Sequence, residues 1–371
     1  MRRKTAPKID FDSHARSAIR RRLLNWYDKN KRNLPWRRRQ QDPYAQWVAE
    51  IMLQQTRVET VLRFYEPFLA RFPTVEALAK ASHQHALKMW EGLGYYRRIL
   101  NLHRAAKMVC QSGSEIPTSS GGLRELPGVG TYTAAAIASI AYGEPAAAVD
   151  GNVARVIARL LGMTNPALTQ SRARIQSEAD MLLHRRRPGD FNQAWMDLGS
   201  SICLSGTPRC GDCPLNSYCA TSNSKLEKTR ASVRPRPLKC SFAVGILVHK
   251  DRMLVRKRPL GGLWSGLWEF PNFELGSGLV VDEDAERLTE ICLGSARSKT
   301  QEVGVIEHQL THRRMFFHVF EAAVGKVGMP KEASARWVDN KAFQRLPVST
   351  AHRRIHRLWQ IFRAGGGSNR A

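Results

Sequence analysis

The sequence contains no stretch approaching the ~20 consecutive apolar residues that a membrane-spanning helix requires. The first 22 residues also lack the apolar segment of a secretory signal. Acidic residues are scarce: 32 Asp and Glu stand against 58 Lys and Arg, a net charge of +26. We therefore expect a cytoplasmic, soluble protein whose partner is a polyanion, with nucleic acid the leading candidate. A basic protein of another kind, or one bound at a membrane surface, stays open at this point.

Cysteine is infrequent, with seven residues, but four of them fall between 203 and 219. Cys203, Cys210, Cys213 and Cys219 have the spacing C-x6-C-x2-C-x5-C, which indicates metal ligation in a reducing compartment rather than a disulfide framework. Their chemistry alone fits an iron-sulfur cluster or a structural zinc ion about equally. The remaining three, Cys110, Cys240 and Cys292, are isolated and predict packing roles.

The length of 371 residues predicts two domains, because single cores usually stop growing near ~250–300 residues. Apolar residues recur at helical spacing from Ser13 to about Ala220, which predicts an all-α domain over 10–222. Residues 223–239 have no periodicity and are rich in Ser, Lys, Arg and Pro, as in a linker. Short β-branched and aromatic runs then predict an α/β domain over 240–362, followed by a disordered Gly- and Ser-containing tail over 363–371.

A glycine turn, Leu126-Pro-Gly-Val-Gly130, lies between two predicted helices. Free backbone amides at the start of the second helix can bind phosphate, so Gly128 and Gly130 are candidate DNA-backbone contacts. Glycines also close many ordinary helix corners, and the turn by itself does not separate the two interpretations.

Two carboxylates stand out by their context. Glu50 is at the edge of an apolar helical stripe between Trp47 and Ile51, where a half-buried carboxyl holds its proton more readily than a free one. Asp150 precedes a helix in Val149-Asp-Gly-Asn-Val153 and fits a plain helix N-cap. Most glutamates are solvated, so neither residue is identified as catalytic by its context alone.

Taken together, the segment Glu50-Ile-Met-Leu-Gln-Gln-Thr56, the loop Gly92-Leu-Gly-Tyr-Tyr96, the Asp150 motif and the cysteine spacing resemble those of MutY-type adenine DNA glycosylases. These belong to the endonuclease III and helix-hairpin-helix superfamily. The resemblance extends over roughly residues 20–360. It implies a helix-hairpin-helix at about 121–134, a 4Fe-4S cluster in the loop 203–219, and removal of adenine mispaired with 8-oxoguanine or guanine in double-stranded DNA.

The same resemblance implies catalytic roles. Glu50 would protonate adenine at N7, and Asp150 would stabilise the cationic sugar, a task that suits one acid and one carboxylate. Tyr132 occupies the position where bifunctional relatives carry a nucleophilic lysine. We therefore expect a monofunctional enzyme that hydrolyses the bond without cleaving the strand, with Tyr132 hydrogen-bonding near Asp150.

Base contacts are also implied by the matching positions. Trp36, Arg37 and Gln193 match the adenine pocket, whereas Gln55 and Tyr95 match residues that insert around the opposing base. Trp36 follows a proline and is equally typical of a core residue. Arg97 and Arg98 are expected to meet phosphates.

The second domain carries Arg256-Lys-Arg-Pro259 and Leu263-Trp-Ser-Gly-Leu-Trp-Glu-Phe-Pro271, which resemble the MutT-like, Nudix-fold domain of the same family. The glutamates after Pro271 (Glu274, Glu283 and Glu286) lack the spacing of a magnesium-binding Nudix helix, so we expect a binding module rather than a hydrolase. Leu310-Thr311-His312 matches the family's Phe-Ser-His turn that reads 8-oxoguanine. Thr311 and His312 keep the hydroxyl and imidazole, but the aromatic residue is replaced by Leu310.

We expect a monomeric, nucleoid-associated bacterial protein. Three other interpretations are left: a bifunctional endonuclease III-like glycosylase/lyase, a Nudix pyrophosphatase, and a non-enzymatic DNA-binding protein with structural zinc. Tyr132 and the second domain argue against the first, and the missing glutamate helix argues against the second. Glu50 and Asp150 argue against the third.

Overall fold

The computed structural model of the chain describes residues 10–113, 115–163, 169–222, 237–275, 300–324 and 334–365. The chain divides into two compact units, one formed by residues up to 80 together with 101–233, the other by residues 81–100 together with those from 234 onward. None of the helices in the described ranges is both long enough and apolar enough to cross a membrane. Most of the predicted linker, the end of the predicted tail, Cys292, Glu283 and Glu286 lie outside the described residues.

The first unit is helical, as predicted. Its helices are α1 (Ser13–Asn30), α2 (Pro35–Arg38), α3 (Pro43–Leu53), α4 (Val58–Val61), α5 (Tyr65–Arg71), α6 (Val75–Lys80), most of α8 (Arg97–Gln111), α9 (Ser120–Arg124), α10 (Thr131–Ala141), α11 (Gly151–Leu160), α12 (Thr169–Leu182) and α13 (Pro188–Ser201). Two single 3-10 turns, Cys210–Asp212 and Asn216–Tyr218, follow in the cysteine loop.

Side-chain caps determine where several of these helices begin. Asp12, Asp42 and Asp150 each accept a hydrogen bond from the backbone amide three residues later. Such caps satisfy amides that have no partner inside the helix. The apolar faces of α1, α11, α12 and α13 meet in one buried cluster, which includes Leu23 and Trp195. This core supports the cysteine loop, because Cys203, Cys213 and Cys219 pack against it.

The second unit is built on a mixed sheet, as predicted. Its strands are β1 (Leu238–His249), β2 (Arg252–Lys257), β3 (Trp268–Glu269), β4 (Asn272–Glu274), β5 (Thr300–Gln309), β6 (Arg313–Ala323) and β7 (Ala335–Val338). The main order is β3-β2-β1-β6-β5, with β4 paired to β1 and β7 paired to β2. The β1–β6 pair is parallel, with Val244 opposite Val319, and the other strand pairs are antiparallel. Two helices follow, α14 (Asn340–Arg345) and α15 (Thr350–Ala364).

Residues 81–100, which include α7 (His83–Met89), pack with this second unit although they are embedded in the helical part of the sequence. The Gln84 amide donates to the Gly266 carbonyl at 3.0 Å and accepts from the Trp268 indole. Glu91 accepts two hydrogen bonds from the Arg353 guanidinium. These bonds join segments far apart in sequence, which local periodicity does not reveal.

The basic run at the end of β2 is largely engaged inside the unit. Arg256 and Arg258 each donate to the buried carboxylate of Glu269, at 3.0 and 2.6 Å. His352 lies beside the same carboxylate, and burial lowers its pKa to about 4, so the ring is neutral at physiological pH. This part of the motif is therefore structural.

Candidate active site

Glu50 lies in the third turn of α3 and is 4% exposed. The helix starts at Pro43, with Asp42 as its N-cap, which is the start that the Asp-Pro pair predicts. Among the described residues, each carboxylate oxygen of Glu50 has one partner: Gln46 Nε2 donates to Oε1 at 2.9 Å, and the Tyr132 hydroxyl donates to Oε2 at 3.2 Å. Glu50, the single acidic residue of α3, therefore lies among apolar residues in the protein interior.

The pKa of Glu50 is raised from its ordinary value of 4.5 to about 7. Burial is the main cause, because it disfavours the charged form, and the negative charge of Asp150 adds to it. The hydrogen bonds from Tyr132 and Gln46 and the positive charge of Arg37 act in the opposite direction. Glu50 is therefore able to give and take a proton near neutral pH, as a general acid must.

Tyr132 is in the first turn of α10, and its hydroxyl reaches Glu50 rather than Asp150. The expectation of a hydrogen bond near Asp150 is therefore corrected, although the charge of Asp150 does act on Tyr132. The hydroxyl also contacts the Met196 sulfur at 3.6 Å. Burial raises the pKa of Tyr132 well above its ordinary value, so the side chain stays neutral and keeps its proton to donate.

Asp150 caps α11 and accepts from the Val153 amide at 2.7 Å and from the Asn152 side chain at 3.2 Å. The prediction of a helix N-cap is confirmed, and the carboxylate retains one oxygen that is not used by the cap. Asn152 in turn accepts a hydrogen bond from Arg155 at 2.9 Å. The orientation of Asp150 is therefore set by its own helix and by a short chain of side chains.

Arg155 extends that chain to the cysteine loop. Its guanidinium donates to the carbonyls of Gly199 and Cys203, at 2.7 and 3.0 Å. One turn further along α11, Arg159 donates to the Cys203 sulfur at 3.2 Å. One face of α11 thus connects the candidate catalytic carboxylate with the loop that carries the four thiols.

The predicted adenine-pocket residues lie in two environments. Trp36 is 4% exposed and makes an edge-to-face contact with Tyr65, with the ring centroids 5.5 Å apart, as a core residue does. Arg37 donates to the buried carboxylate of Asp197 at 2.8 Å, while its Nε has no partner among the described residues. Gln193 lies one turn before Asp197 on α13, and its buried Nε2 also has no partner in the described part of the chain. Buried donors of this kind are free to meet a ligand.

The predicted hairpin joins α9 to α10. Gly128 has a φ of +85°, and a Cβ placed on it would lie 2.8 Å from the Cβ of Asn101. Gly130 is the N-cap of α10 and provides no side-chain cap for its amides. Gln54, at the end of α3, donates to the Gly128 carbonyl at 3.3 Å and to the Thr133 hydroxyl at 3.1 Å. The hairpin is therefore fastened to the helix that carries Glu50.

Two residues predicted to insert into the duplex share an unusual backbone conformation. Gln55 and Tyr95 are exposed and have φ values of +56° and +48°. Non-glycine residues in this region are uncommon and concentrate at functional sites. The Tyr95 hydroxyl lies 2.9 Å from the hydroxyl of Thr311, within the second unit. Thr311 and His312 are exposed in the turn between β5 and β6, and Leu310 is half-buried there.

Arg98 does not face solvent, and the prediction that it meets phosphate is wrong. Its guanidinium is buried, and the guanidinium carbon lies 5.4 Å from the centroid of the Trp90 ring. It donates a hydrogen bond to the Gly94 carbonyl at 3.1 Å. Burial lowers its pKa to about 10, which still leaves it charged at neutral pH. Arg97 is exposed, as a phosphate contact requires.

Three thiols of the cysteine loop act on the fourth, Cys213. Burial raises the pKa of Cys213 to about 11, and the charges of Cys203, Cys219 and Cys210 contribute in that order. Within the described ranges, no group of three or more His, Cys, Asp or Glu side chains is arranged tightly enough to hold a metal ion. Four thiols on one supported loop are a donor set that iron-sulfur clusters and structural zinc ions both use. Cys240 is buried and Cys110 half-buried, in agreement with packing roles.

Comparison with known families defines the class of protein. Residues 48–179 match the family described as the HhH-GPD superfamily base excision DNA repair protein, and residues 243–358 match the NUDIX domain. A solved thermostable thymine-DNA glycosylase has a TM-score of 0.52 and 29% identity, and the match covers 56% of this chain and 96% of that one. An endonuclease III–DNA complex has the same fold, with a TM-score of 0.50 and 20% identity over 57% of this chain and 97% of that one. This chain is a base-excision DNA glycosylase with an added Nudix-like domain.

Relatives that match most of the chain define the family within that class. The adenine DNA glycosylase of Homo sapiens is 33% identical over 412 residues, covering 93% of this chain and 74% of the relative. That of Buchnera aphidicola subsp. Baizongia pistaciae (strain Bp) is 31% identical over 319 residues, covering 83% of this chain and 86% of the relative. The chain belongs to the adenine DNA glycosylase family. It is an enzyme of base excision repair that acts on N-glycosyl bonds.

Sequence reasoning did not identify several residues of the site, namely Gln46, Asn152, Arg155, Arg159 and Asp197. The spacing of Gln46 four residues before Glu50 on one helix was a usable signal, because such residues share a face. Arg155 and Arg159 also recur at helical spacing after Asp150. Arg37 and Asp197, which form an ion pair, are 160 positions apart, so no local sequence pattern indicates that they are in contact.

Proposed function

We propose that this enzyme hydrolyses the N-glycosidic bond of adenine mispaired with 8-oxoguanine or guanine in duplex DNA, without cleaving the strand. The observation that carries the proposal is a buried carboxyl, Glu50, whose pKa of about 7 suits a general acid and which lies within the electrostatic reach of Asp150. The adenine must first leave the base stack, since its reactive atoms are not accessible in a duplex.

The reaction divides between the two carboxyl groups. The protonated Glu50 gives its proton to N7 of the extruded adenine, and the electron pair of the glycosidic bond passes to the base as that bond breaks. The ionised Asp150 stabilises the resulting cationic sugar. Water then adds to the anomeric carbon, and its proton returns to Glu50, which leaves an abasic site. Tyr132 donates to the carboxyl of Glu50 and, unlike a lysine, supplies no amine to form a Schiff base.

The remaining DNA contacts follow from exposure and position. The amides that follow Gly128 and Gly130 bind a phosphate, and Gln55 and Tyr95 enter the duplex beside the bases. Trp36, Arg37 and Gln193 bound the adenine pocket, to which Trp36 contributes as a buried wall and the two others contribute free donors. The turn Leu310-Thr311-His312 reads the oxidised base, supported by the exposure of Thr311 and His312.

A 4Fe-4S cluster in the loop 203–219 is part of the proposal. Cys203, Cys210, Cys213 and Cys219 would hold it, and its role is to shape the loop rather than to take part in the reaction. Arg159 would donate to one thiolate, as it does to Cys203. The purified protein should absorb near ~400 nm and contain iron and sulfide. Cys210→Ser should lose both, whereas Cys110→Ser should keep them; zinc in place of iron would contradict this assignment.

The central test is single-turnover cleavage of a labelled duplex that contains adenine opposite 8-oxoguanine, analysed with and without alkali, beside a duplex with thymine glycol. We expect strand breaks at adenine that depend on alkali. Glu50→Gln should lose base removal while it still binds the duplex, and the exposed Glu59→Gln is the matched control. Breaks at thymine glycol without alkali would favour a bifunctional glycosylase/lyase, and full turnover by Glu50→Gln would overturn the role of Glu50.

A further inference from the structure

Gln46 lies one helical turn before Glu50 on α3 and is 1% exposed. Its Nε2 donates to Glu50 Oε1 at 2.9 Å in a fully buried hydrogen bond. The other amide atom, Gln46 Oε1, is also buried and has no hydrogen-bond partner among the residues that the structure describes. The Gln46 amide is therefore buried in the core, and of its two polar atoms only the nitrogen has a partner among the described residues, the carboxyl of Glu50.

Such a placement is costly for the fold. A buried carbonyl oxygen without a partner destabilises a protein, because the hydrogen bonds it makes with water in the unfolded chain are not replaced. An apolar side chain of similar size at position 46 would avoid that loss, since its neighbours Ala45, Trp47 and Val48 are all fully buried. Gln46 is therefore explained better by what it does for Glu50 than by packing.

The two partners of Glu50 have a property in common. An amide and a hydroxyl can each donate or accept a hydrogen bond, whereas an arginine or lysine can only donate. A carboxylate needs donors, and a carboxylic acid needs an acceptor for its proton. When the Gln46 amide rotates by half a turn, Oε1 takes the position of Nε2 beside Glu50. The oxygen that had no partner can then accept the hydrogen bond of the carboxylic acid.

We propose that Gln46 is a positioning residue that serves both protonation states of Glu50, donating to the carboxylate and, after its amide turns over, accepting from the acid. The inference rests on the acid role of Glu50 in the proposed function. In each turnover Glu50 loses and regains a proton inside the protein. Gln46 keeps the Glu50 carboxyl oriented in both states, so that the carboxyl has a hydrogen-bond partner whether or not it is protonated.

Groups on three other elements also act on the pKa of Glu50. Arg37 on α2 and Asp150 at the start of α11 act through their charge, and Tyr132 on α10 through its hydrogen bond. None of these changes when Gln46 is replaced. A change in the pH dependence of catalysis in a variant that only removes the Gln46 amide therefore reports the loss of this one hydrogen bond.

Replacement by methionine tests the donor. Gln46→Met preserves the length of the side chain and removes both hydrogen-bonding atoms. Because the hydrogen bond to the charged carboxylate is the stronger of the two, its loss raises the pKa of Glu50. The single-turnover rate falls as pH rises through that pKa, so the alkaline limb should move up by roughly one pH unit. The plateau rate should fall roughly ten-fold, because the carboxyl is no longer held in place.

Replacement by lysine tests the two-way role. Gln46→Lys supplies a donor and a positive charge but no acceptor, so the alkaline limb should move to lower pH. The exposed residue Gln111 provides the control, and Gln111→Met should leave the profile unchanged. Circular dichroism verifies folding, and if the lysine variant does not fold, the methionine variant alone decides.

The outcomes are separable. An upward shift for methionine with a downward shift for lysine supports the proposal. If both folded variants keep the native alkaline limb while Glu50→Gln is inactive, the role of Gln46 is wrong and that of Glu50 stands. If Glu50→Gln still removes adenine, the proposed function itself fails, whatever the Gln46 variants do.

Discussion

The hydroxyl of Tyr95 lies 2.9 Å from the hydroxyl of Thr311, and the two residues are 216 positions apart in the chain. Both are exposed, and Tyr95 has a left-handed backbone conformation. A residue expected to enter the duplex and a residue expected to read the oxidised base are thus linked by a direct contact. Each hydroxyl can orient the other.

We predict that Thr311→Ala lowers the preference for adenine opposite 8-oxoguanine over adenine opposite guanine by roughly five- to ten-fold, the range of one hydrogen bond. Tyr95→Phe should lower the same ratio. Because the two hydroxyls share one bond, the double variant should lose little more than either single variant. Single-turnover rates on the two duplexes measure the ratio; equal losses on both duplexes would contradict a role in lesion reading.

A second prediction concerns Arg155, which joins Asn152 to the carbonyls of Gly199 and Cys203. Arg155→Met removes three hydrogen bonds and leaves these acceptors without their donor. We expect a loss of roughly 2–4 kcal/mol in the free energy of unfolding, together with slower base removal and less bound iron. Thermal unfolding, iron content and single-turnover rate check these. Arg172 is exposed, and Arg172→Met should change none of these three quantities. If Arg155→Met is destabilised but keeps the native rate and iron content, Arg155 contributes only to folding.

A third prediction follows from the raised pKa of Glu50. Between pH 4.5 and about 7 the unfolded chain has released this proton while the folded protein still holds it. Glu50 therefore lowers the free energy of unfolding as pH rises through that range, by about 3 kcal/mol at the upper end. Glu50→Gln should unfold at a higher temperature than the native enzyme at pH 8 and show a much smaller difference at pH 4.5. A gain that does not depend on pH would contradict the raised pKa, and Glu59→Gln serves as the control.

A fourth prediction compares the two glycines of the hairpin. Gly128→Ala forces a side chain into a left-handed conformation and against Asn101, so it should cost roughly 1–3 kcal/mol of stability and weaken duplex binding. At Gly130 the φ is −89°, and a Cβ would meet open space. Gly130→Ala should therefore leave stability nearly unchanged. Thermal unfolding and a duplex-binding isotherm measure both; equal destabilisation by the two substitutions would argue against the steric explanation.

Much of the architecture could be predicted from the sequence, because it depends on local signals. The Asp42-Pro43 start of α3, the glycine hairpin and the Asp150 cap are all decided by residues within one turn of each other. Arg98 could not be placed, since its burial depends on the fold of the preceding loop around Trp90. The placement of residues 81–100 was also missed, because hydrogen bonds such as that of Gln84 with Gly266 connect distant segments.

That placement has a consequence for the order in which the protein is made. The bond between Gln84 and Gly266 spans 182 positions. At the usual pace of translation, the segment 81–100 waits roughly 10–40 s for its partners to leave the ribosome. Leu87 is 1% exposed in the folded protein and lies next to Gly266. During that interval Gly266 has not been synthesised, so Leu87 lacks this neighbour. A nascent chain halted before residue 266 therefore leaves the Leu87 side chain of α7 without its neighbour Gly266, and the enzyme completes its second unit only after most of its length has been synthesised.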